Sequence, residues 1–102
     1  MDASPMTNPP EIVLYGSALC PYCHMAKRLL SKQELAYTEI SVDFHPARRD
    51  EMEARSGRET VPQIFIGATH VGGFDDLSAL VARGELPALL RRESGSPADP
   101  AV

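Results

Sequence analysis

The chain has no tryptophan, and cysteine occurs only twice in its 102 residues. No apolar run approaches the roughly 20 residues that a membrane-spanning helix needs. Basic surplus is missing too: ten Lys and Arg face fourteen Asp and Glu, for a net charge of −4 and a pI near 5.2. A nucleic-acid surface would show a basic stripe, and none is visible. The opening segment MDASPMTNPP lacks the basic and apolar regions of a secretory leader. A reducing cytoplasm is therefore the expected setting, where two cysteines serve catalysis, redox cycling or a metal rather than a permanent crosslink. No internal repeat is present, and a 43% hydrophobic content suits one domain with a small core.

Residues 1–10 carry three prolines without apolar periodicity and read as a flexible extension. Ile12-Val13-Leu14-Tyr15 then forms a continuous apolar run, the pattern of a strand covered on both faces. From Pro21, a residue suited to the first helical position, Tyr22, Met25, Ala26, Leu29, Leu30 and Gln33 recur at helical spacing. A second strand is expected at Tyr37–Val42 and a charged second helix from Pro46 to Gly57, with a thin stripe of Ala47, Met52 and Ala54. Glu51 and Arg55 stand four apart in the order that favours an ion pair. Gln63–Ile66 and Thr69–Val71 around Gly67-Ala68 read as a hairpin. Asp75 or Asp76 can cap a third helix with Leu77, Leu80 and Val81 inward, and Gly84 stops it. Leu86–Leu90 adds a turn, and residues 93–102 read as a flexible tail. The order β-α-β-α-β-β-α predicts an α/β fold in which a crossover helix makes the first two strands parallel.

Both cysteines lie in one stretch, Cys20-Pro21-Tyr22-Cys23-His24. It fits the c-type haem attachment pattern, but export to an oxidising compartment is not signalled, and strands flank the motif. Structural zinc needs four ligands; a second pair is absent, and His45 and His70 lack zinc spacing. Redox chemistry needs less. A C-x-x-C pair opening a helix turns its first sulfur toward free N–H groups that favour an anion, with the second sulfur one turn inward. His24 reads as a surface residue, His45 as a cap or turn residue, and His70 as an edge-strand residue. Met25 and Met52 read as core filler.

Three blocks, CPYC at 20–23, TVP at 60–62 and GGFDDL at 72–77, together resemble the glutaredoxins of the short bacterial dithiol class. The resemblance spans about residues 12–90 and places a glutaredoxin domain at 11–92. It implies a thioredoxin fold, a four-stranded mixed sheet flanked by helices. Cys20 would be the nucleophile and Cys23 the resolving thiol, supported by Pro21, Tyr22 and Pro62. The family's proline after TV is cis, whereas base rates for X–Pro bonds would make Pro62 trans. A cis Pro62 would turn the Val61 backbone toward an extended cysteinyl peptide.

Glutathione, as reducing co-substrate, would meet Arg58 and Gln63 at its glycine carboxylate, the Val61 backbone at its cysteinyl peptide, and Asp75 and Asp76 with the Gly73 and Phe74 backbone at its γ-glutamyl end, with Thr60 also counted among the binding residues. Gln63 alternatively serves only the strand, Arg58 only as a solvated charge, and one aspartate only as a cap. No metal is expected. Expected partners are glutathionylated or disulfide-bonded proteins, with ribonucleotide reductase possible by family analogy, and the chain is expected to be a monomer.

Many glutaredoxins carry a lysine three residues before the first cysteine, and Ser17 stands there. That removes a charge favouring the thiolate and a partner for a glutathione carboxylate. Lys27 cannot substitute, because seven residues of helix rise about 10 Å. Two rival functions use the same residues: a dimer bridging a [2Fe–2S] cluster through Cys20 and glutathione, which Pro21 disfavours, and a thioredoxin-like reductant, whose usual pair encloses Gly-Pro.

Overall fold

The computed structural model describes residues 9–94. Its elements run β1 (Ile12–Gly16), α1 (Pro21–Lys32), β2 (Thr38–Ser41), α2 (Pro46–Ser56), β3 (Gln63–Ile66), β4 (Thr69–Gly72), α3 (Phe74–Ala82) and α4 (Leu86–Glu93). The strands form one mixed sheet in the order β2-β1-β3-β4. β1 lies parallel to β2, with Val13 opposite Thr38 and Gly16 opposite Ser41. It runs antiparallel to β3, and the β3–β4 hairpin closes the edge. This is the mixed sheet flanked by helices that the element order predicts, and it has the strand arrangement of the thioredoxin fold that the resemblance implies.

All five residues of β1 are buried, as the unbroken apolar run implies for a central strand. Alternation sends Ile12 and Leu14 to one face, against Ala26, Leu30, Leu77, Leu86 and Leu89 from α1, α3 and α4. Val13 and Tyr15 go to the other face, against Met52 of α2, Val42 and Phe65. Truncating a fully buried Leu14 or Leu30 to alanine would remove about 2–5 kcal/mol.

The inward stripe of α1 is Cys23, Ala26 and Leu30; Ala26 and Leu30 belong to the stripe read from the sequence, Cys23 does not, and Tyr22 and Met25 fall outside it. Tyr22 is 57% exposed and Met25 42%, so Met25 is not core filler, and Gln33 caps the helix C-terminus. The reason is the motif itself: burying the second sulfur rotates Tyr22 and Met25 outward. On α2 only Met52 is buried. Arg55 and Glu51 do not pair directly. Arg55 donates to the Tyr15 hydroxyl at 2.7 Å, that hydroxyl donates to Glu51, and Glu51 is bonded to Arg48 at 2.8 Å. Arg55 also covers the Phe65 ring, 4.1 Å from its centroid. The charged face of α2 thus seals the outer layer of the sheet.

Gly57 ends α2 with a φ of +72°, a conformation that glycine adopts without strain. At α3 the N-cap position is Gly73; Asp75 and Asp76 lie in the first turn, and Asp76 serves as a cap from there by accepting the Gly73 N–H. α4 runs on to Glu93, whose carboxylate accepts from the Ala68 N–H and the Thr69 hydroxyl at 2.9 Å each. Glu93 therefore belongs with the hairpin rather than with the tail expected from 93 onward; the rest of that tail from residue 95, and residues 1–8 of the extension, lie outside the described residues.

The register brings four chain segments to one end of the sheet. β1 and β2 both finish there, and β3 starts there, with Tyr15 opposite Gln63. β4 also ends there, with Gly72 opposite Ile64. Across that end the order is the 42–45 loop, the 17–20 loop, the 58–62 loop and the start of α3.

Candidate active site

Cys20 is the N-cap of α1, with extended φ and ψ of −97° and 110°. Its sulfur accepts the Cys23 N–H at 3.1 Å, one of the orphan donors of the helix N-terminus. Pro21 follows at the first helical position, where its missing N–H leaves no gap. Across the gap the Cys20 sulfur lies 3.7 Å from the Val61 carbonyl oxygen. The Val61–Pro62 bond is cis, against the trans expectation from base rates and in agreement with the resemblance.

Cys23 is fully buried and its thiol is pushed up to about 12, first by burial and then by its hydrogen bond to the Cys20 sulfur. Gly16 makes the room: a Cβ there would stand 3.2 Å from the Cys23 sulfur and 3.0 Å from Leu14. The two thiols therefore differ in kind. Cys20 is partly accessible at a helix N-terminus; Cys23 is a closed, protonated neighbour.

Beside Cys20 a groove of about 200 Å³ is lined by Tyr22, Arg58, Thr60, Val61, Pro62, Gln63, Gly73, Phe74, Asp75 and Asp76. It gathers every residue expected around the cysteines except Pro21. Larger cavities of about 400 and 460 Å³ lie against α3–α4 and against the Pro9–Ile12 segment, and neither includes a cysteine. The small groove is where the chemistry converges. Tyr22 and Phe74 form one wall, with ring centroids 6.3 Å apart.

The groove carries opposite charges. Arg58 donates to Asp76 at 3.3 Å, and both side chains are about half exposed. Asp76 also accepts the Gly73 N–H at 2.9 Å, and that bond first, with Arg58 after it, holds its carboxyl below the usual aspartate range. Gln63 is placed differently from the expectation of a ligand contact. It is 1% exposed, and its amide N–H groups are committed to the Thr60 carbonyl at 3.0 Å and hydroxyl at 3.2 Å. Its oxygen lies 2.7 Å from His70 Nε2, which must then be the protonated ring nitrogen. Burial, then Arg58, lowers the His70 pKa and favours the neutral ring. Gln63 thus shapes the 58–62 loop from behind.

The glutaredoxin family model matches residues 12–71. The chain belongs to the glutaredoxin family. It is 54% identical to glutaredoxin 3 of Escherichia coli over 81 residues, 79% of this chain and 98% of the relative. It is 51% identical to a Pseudomonas aeruginosa glutaredoxin over 81 residues, 79% of this chain and 96% of that one. Among solved structures it is similar to Brucella melitensis glutaredoxin, with a TM-score of 0.73 at 46% identity, covering 82% of this chain and 91% of that one. A buckwheat glutaredoxin–glutathione complex superposes with a TM-score of 0.74 at 28% identity, covering 87% and 83%. Membership in the glutaredoxin family makes the chain a thiol–disulfide oxidoreductase.

In this glutaredoxin the neutral Ser17 sits against an acidic group. Asp43, just past β2, accepts from the Ser17 hydroxyl at 2.7 Å and the Ala18 N–H at 2.9 Å. His24 Nε2 lies 2.9 Å from the Ala18 carbonyl oxygen, so Ala18 is held at both its N–H and its C=O. Lys27 is paired with Glu39 at 3.0 Å and does not take the place of the family lysine. Asp43, His24 and His70 were not singled out for the site by the sequence pattern. The role of Asp43 comes from strand order, which no local motif encodes, whereas His24 and His70 bond within six and seven residues of themselves. Among the described residues no group of three or more His, Cys, Asp or Glu converges as a metal cluster, and no helix is long and apolar enough to cross a membrane.

Proposed function

We propose that the chain is a glutathione-dependent thiol–disulfide oxidoreductase, acting in the cytoplasm on glutathione mixed disulfides and on protein disulfides through the Cys20–Cys23 pair. The observation that carries this reading is the groove beside the Cys20 sulfur, where a cation, Arg58, and a carboxylate, Asp76, line the same space as the half-buried Val61. Glutathione has carboxylates at both ends and one ammonium group, so it needs both charges. Arg58 would meet the glycine carboxylate, the Val61 backbone would pair with the cysteinyl peptide, and Asp75, Asp76 and the Gly73–Phe74 amides would meet the γ-glutamyl end.

In the first step the Cys20 thiolate attacks the glutathione sulfur of a mixed disulfide. The new bond joins Cys20 to glutathione; the old S–S bond breaks and the client cysteine leaves as a thiolate that takes a proton from water. A second glutathione thiolate then attacks glutathione's sulfur on Cys20, releasing glutathione disulfide and regenerating the Cys20 thiolate. With a protein disulfide, Cys20 forms the mixed disulfide with the client, and Cys23 attacks the Cys20 sulfur to free it. In that step the Cys23 proton goes to water and the client leaves as a thiolate; two glutathione molecules then return the internal disulfide to the dithiol and leave as glutathione disulfide.

Steady-state turnover of a small glutathione mixed disulfide, with glutathione as sole reductant, tests the reading. Wild type and Cys23→Ser should be active and Cys20→Ser inactive. Wild type that turns over only with a reductase protein would overturn it.

A further inference from the structure

Phe44 stands out at the active end of the sheet. Its ring is 98% exposed, and its φ of +60° lies in the left-handed region that bulky residues rarely occupy. Leu19, next to Cys20, is 92% exposed. The two belong to loops that are tied together, because Asp43, beside Phe44, holds Ser17 and Ala18, just before Leu19. Strand order sets the sides: the glutathione groove lies toward β3 from the Cys20 loop, and Phe44 lies toward β2.

Building on the glutathione-dependent reading above, we propose that Leu19 and Phe44 form the docking face for the protein part of a glutathionylated client, and that this face selects clients with apolar residues beside the modified cysteine. When glutathione fills the groove, the client chain beyond the disulfide cannot share it. The flank that continues from the Cys20 loop on the other side is the Leu19–Phe44 face. An exposed phenylalanine held at a left-handed backbone gains nothing inside this fold; covering it with an apolar client residue gains burial on both sides. The step itself is unchanged: Cys20 takes the glutathionyl sulfur, and the client leaves as a thiolate from this flank.

The test uses two glutathionylated peptides, one with leucine and isoleucine beside the cysteine and one with serine and glycine, assayed on wild type and on Phe44→Asn combined with Leu19→Ser. Asparagine tolerates the left-handed backbone, so the variant should melt no lower than wild type. Wild type should favour the apolar peptide through KM. The variant should raise that KM about tenfold (about 1.4 kcal/mol) and leave the serine–glycine peptide unmoved. Equal KM for both peptides on wild type, or an equal loss on both in the variant, overturns the docking face alone. If wild type reduces neither peptide with glutathione, the glutathione reading falls and takes the docking face with it.

Discussion

Burial of the Cys23 thiol has a consequence that can be measured away from any substrate. The native thiol ionises near 12, raised by burial first and by Cys20 second, while the ordinary value is 9.0. Below pH 9 native and unfolded chains both hold the proton, and the contribution to stability is complete. Between the two values the unfolded chain gives up a proton that the native state keeps, so stability falls as pH rises. Each full unit inside that window is worth about 1.4 kcal/mol, and about 1 kcal/mol is lost between pH 9 and pH 10, where the unfolded thiol is still titrating. Urea unfolding under reductant, from about pH 8 to pH 10, for wild type and Cys23→Ser reads this directly. Tyr15 is raised without any part played by Cys23 and cancels in the difference; Lys27 is raised first by Glu39, with Cys23 the last of its causes, and nearly cancels. Wild type should lose stability more steeply than the serine variant. Parallel curves would refute the claim that Cys23 is kept protonated by its surroundings.

On the proposed glutathione reading, Asp76→Asn removes the charge assigned to the γ-glutamyl end, and the KM for a small glutathione mixed disulfide should rise roughly tenfold or more with kcat held, an outcome that steady-state kinetics can check. Tyr15→Phe deletes the hydroxyl joining Glu51 to Arg55; stability should fall by about 1 kcal/mol, or about 4–8 °C in Tm, with groove kinetics unchanged. Asp43→Ala should lower Tm at neutral pH by freeing the 17–18 loop. Because the Ala18 N–H and the Ser17 hydroxyl hold the Asp43 carboxyl below its usual 3.8, the wild-type advantage is complete above that pH and disappears as pH falls below it. A Tm difference that persists in strong acid would count against the Asp43 clamp.

The order of elements was legible because each boundary carries its own chemistry. Pro21 and Pro46 open helices, Gly57 and Gly84 close them, and Ile12–Tyr15 is apolar throughout, as a central strand must be. The CPYC, TVP and GGFDDL blocks likewise mark segments that the sheet brings to one end. Inward and outward faces were less legible. Tyr22 and Met25 match the helical spacing of Ala26 and Leu30, and only the burial of the Cys23 sulfur decides that they turn outward. Gln63 could be read as a ligand contact until its amide was seen bonded to Thr60 and His70. Asp43 and Phe44 have no local signal. They matter because β2 ends beside β1, a relation set by the parallel crossover and not by neighbouring letters.

The most direct test of the account is to trap the first covalent intermediate. Cys23→Ser, mixed with a glutathionylated peptide in the absence of free glutathione, should accumulate one glutathionyl group on Cys20, located by mass spectrometry, with the peptide released as a free thiol. Cys20→Ser should carry none. Finding the peptide rather than glutathione on Cys20, or no adduct at all, would contradict the assignment of the groove to glutathione.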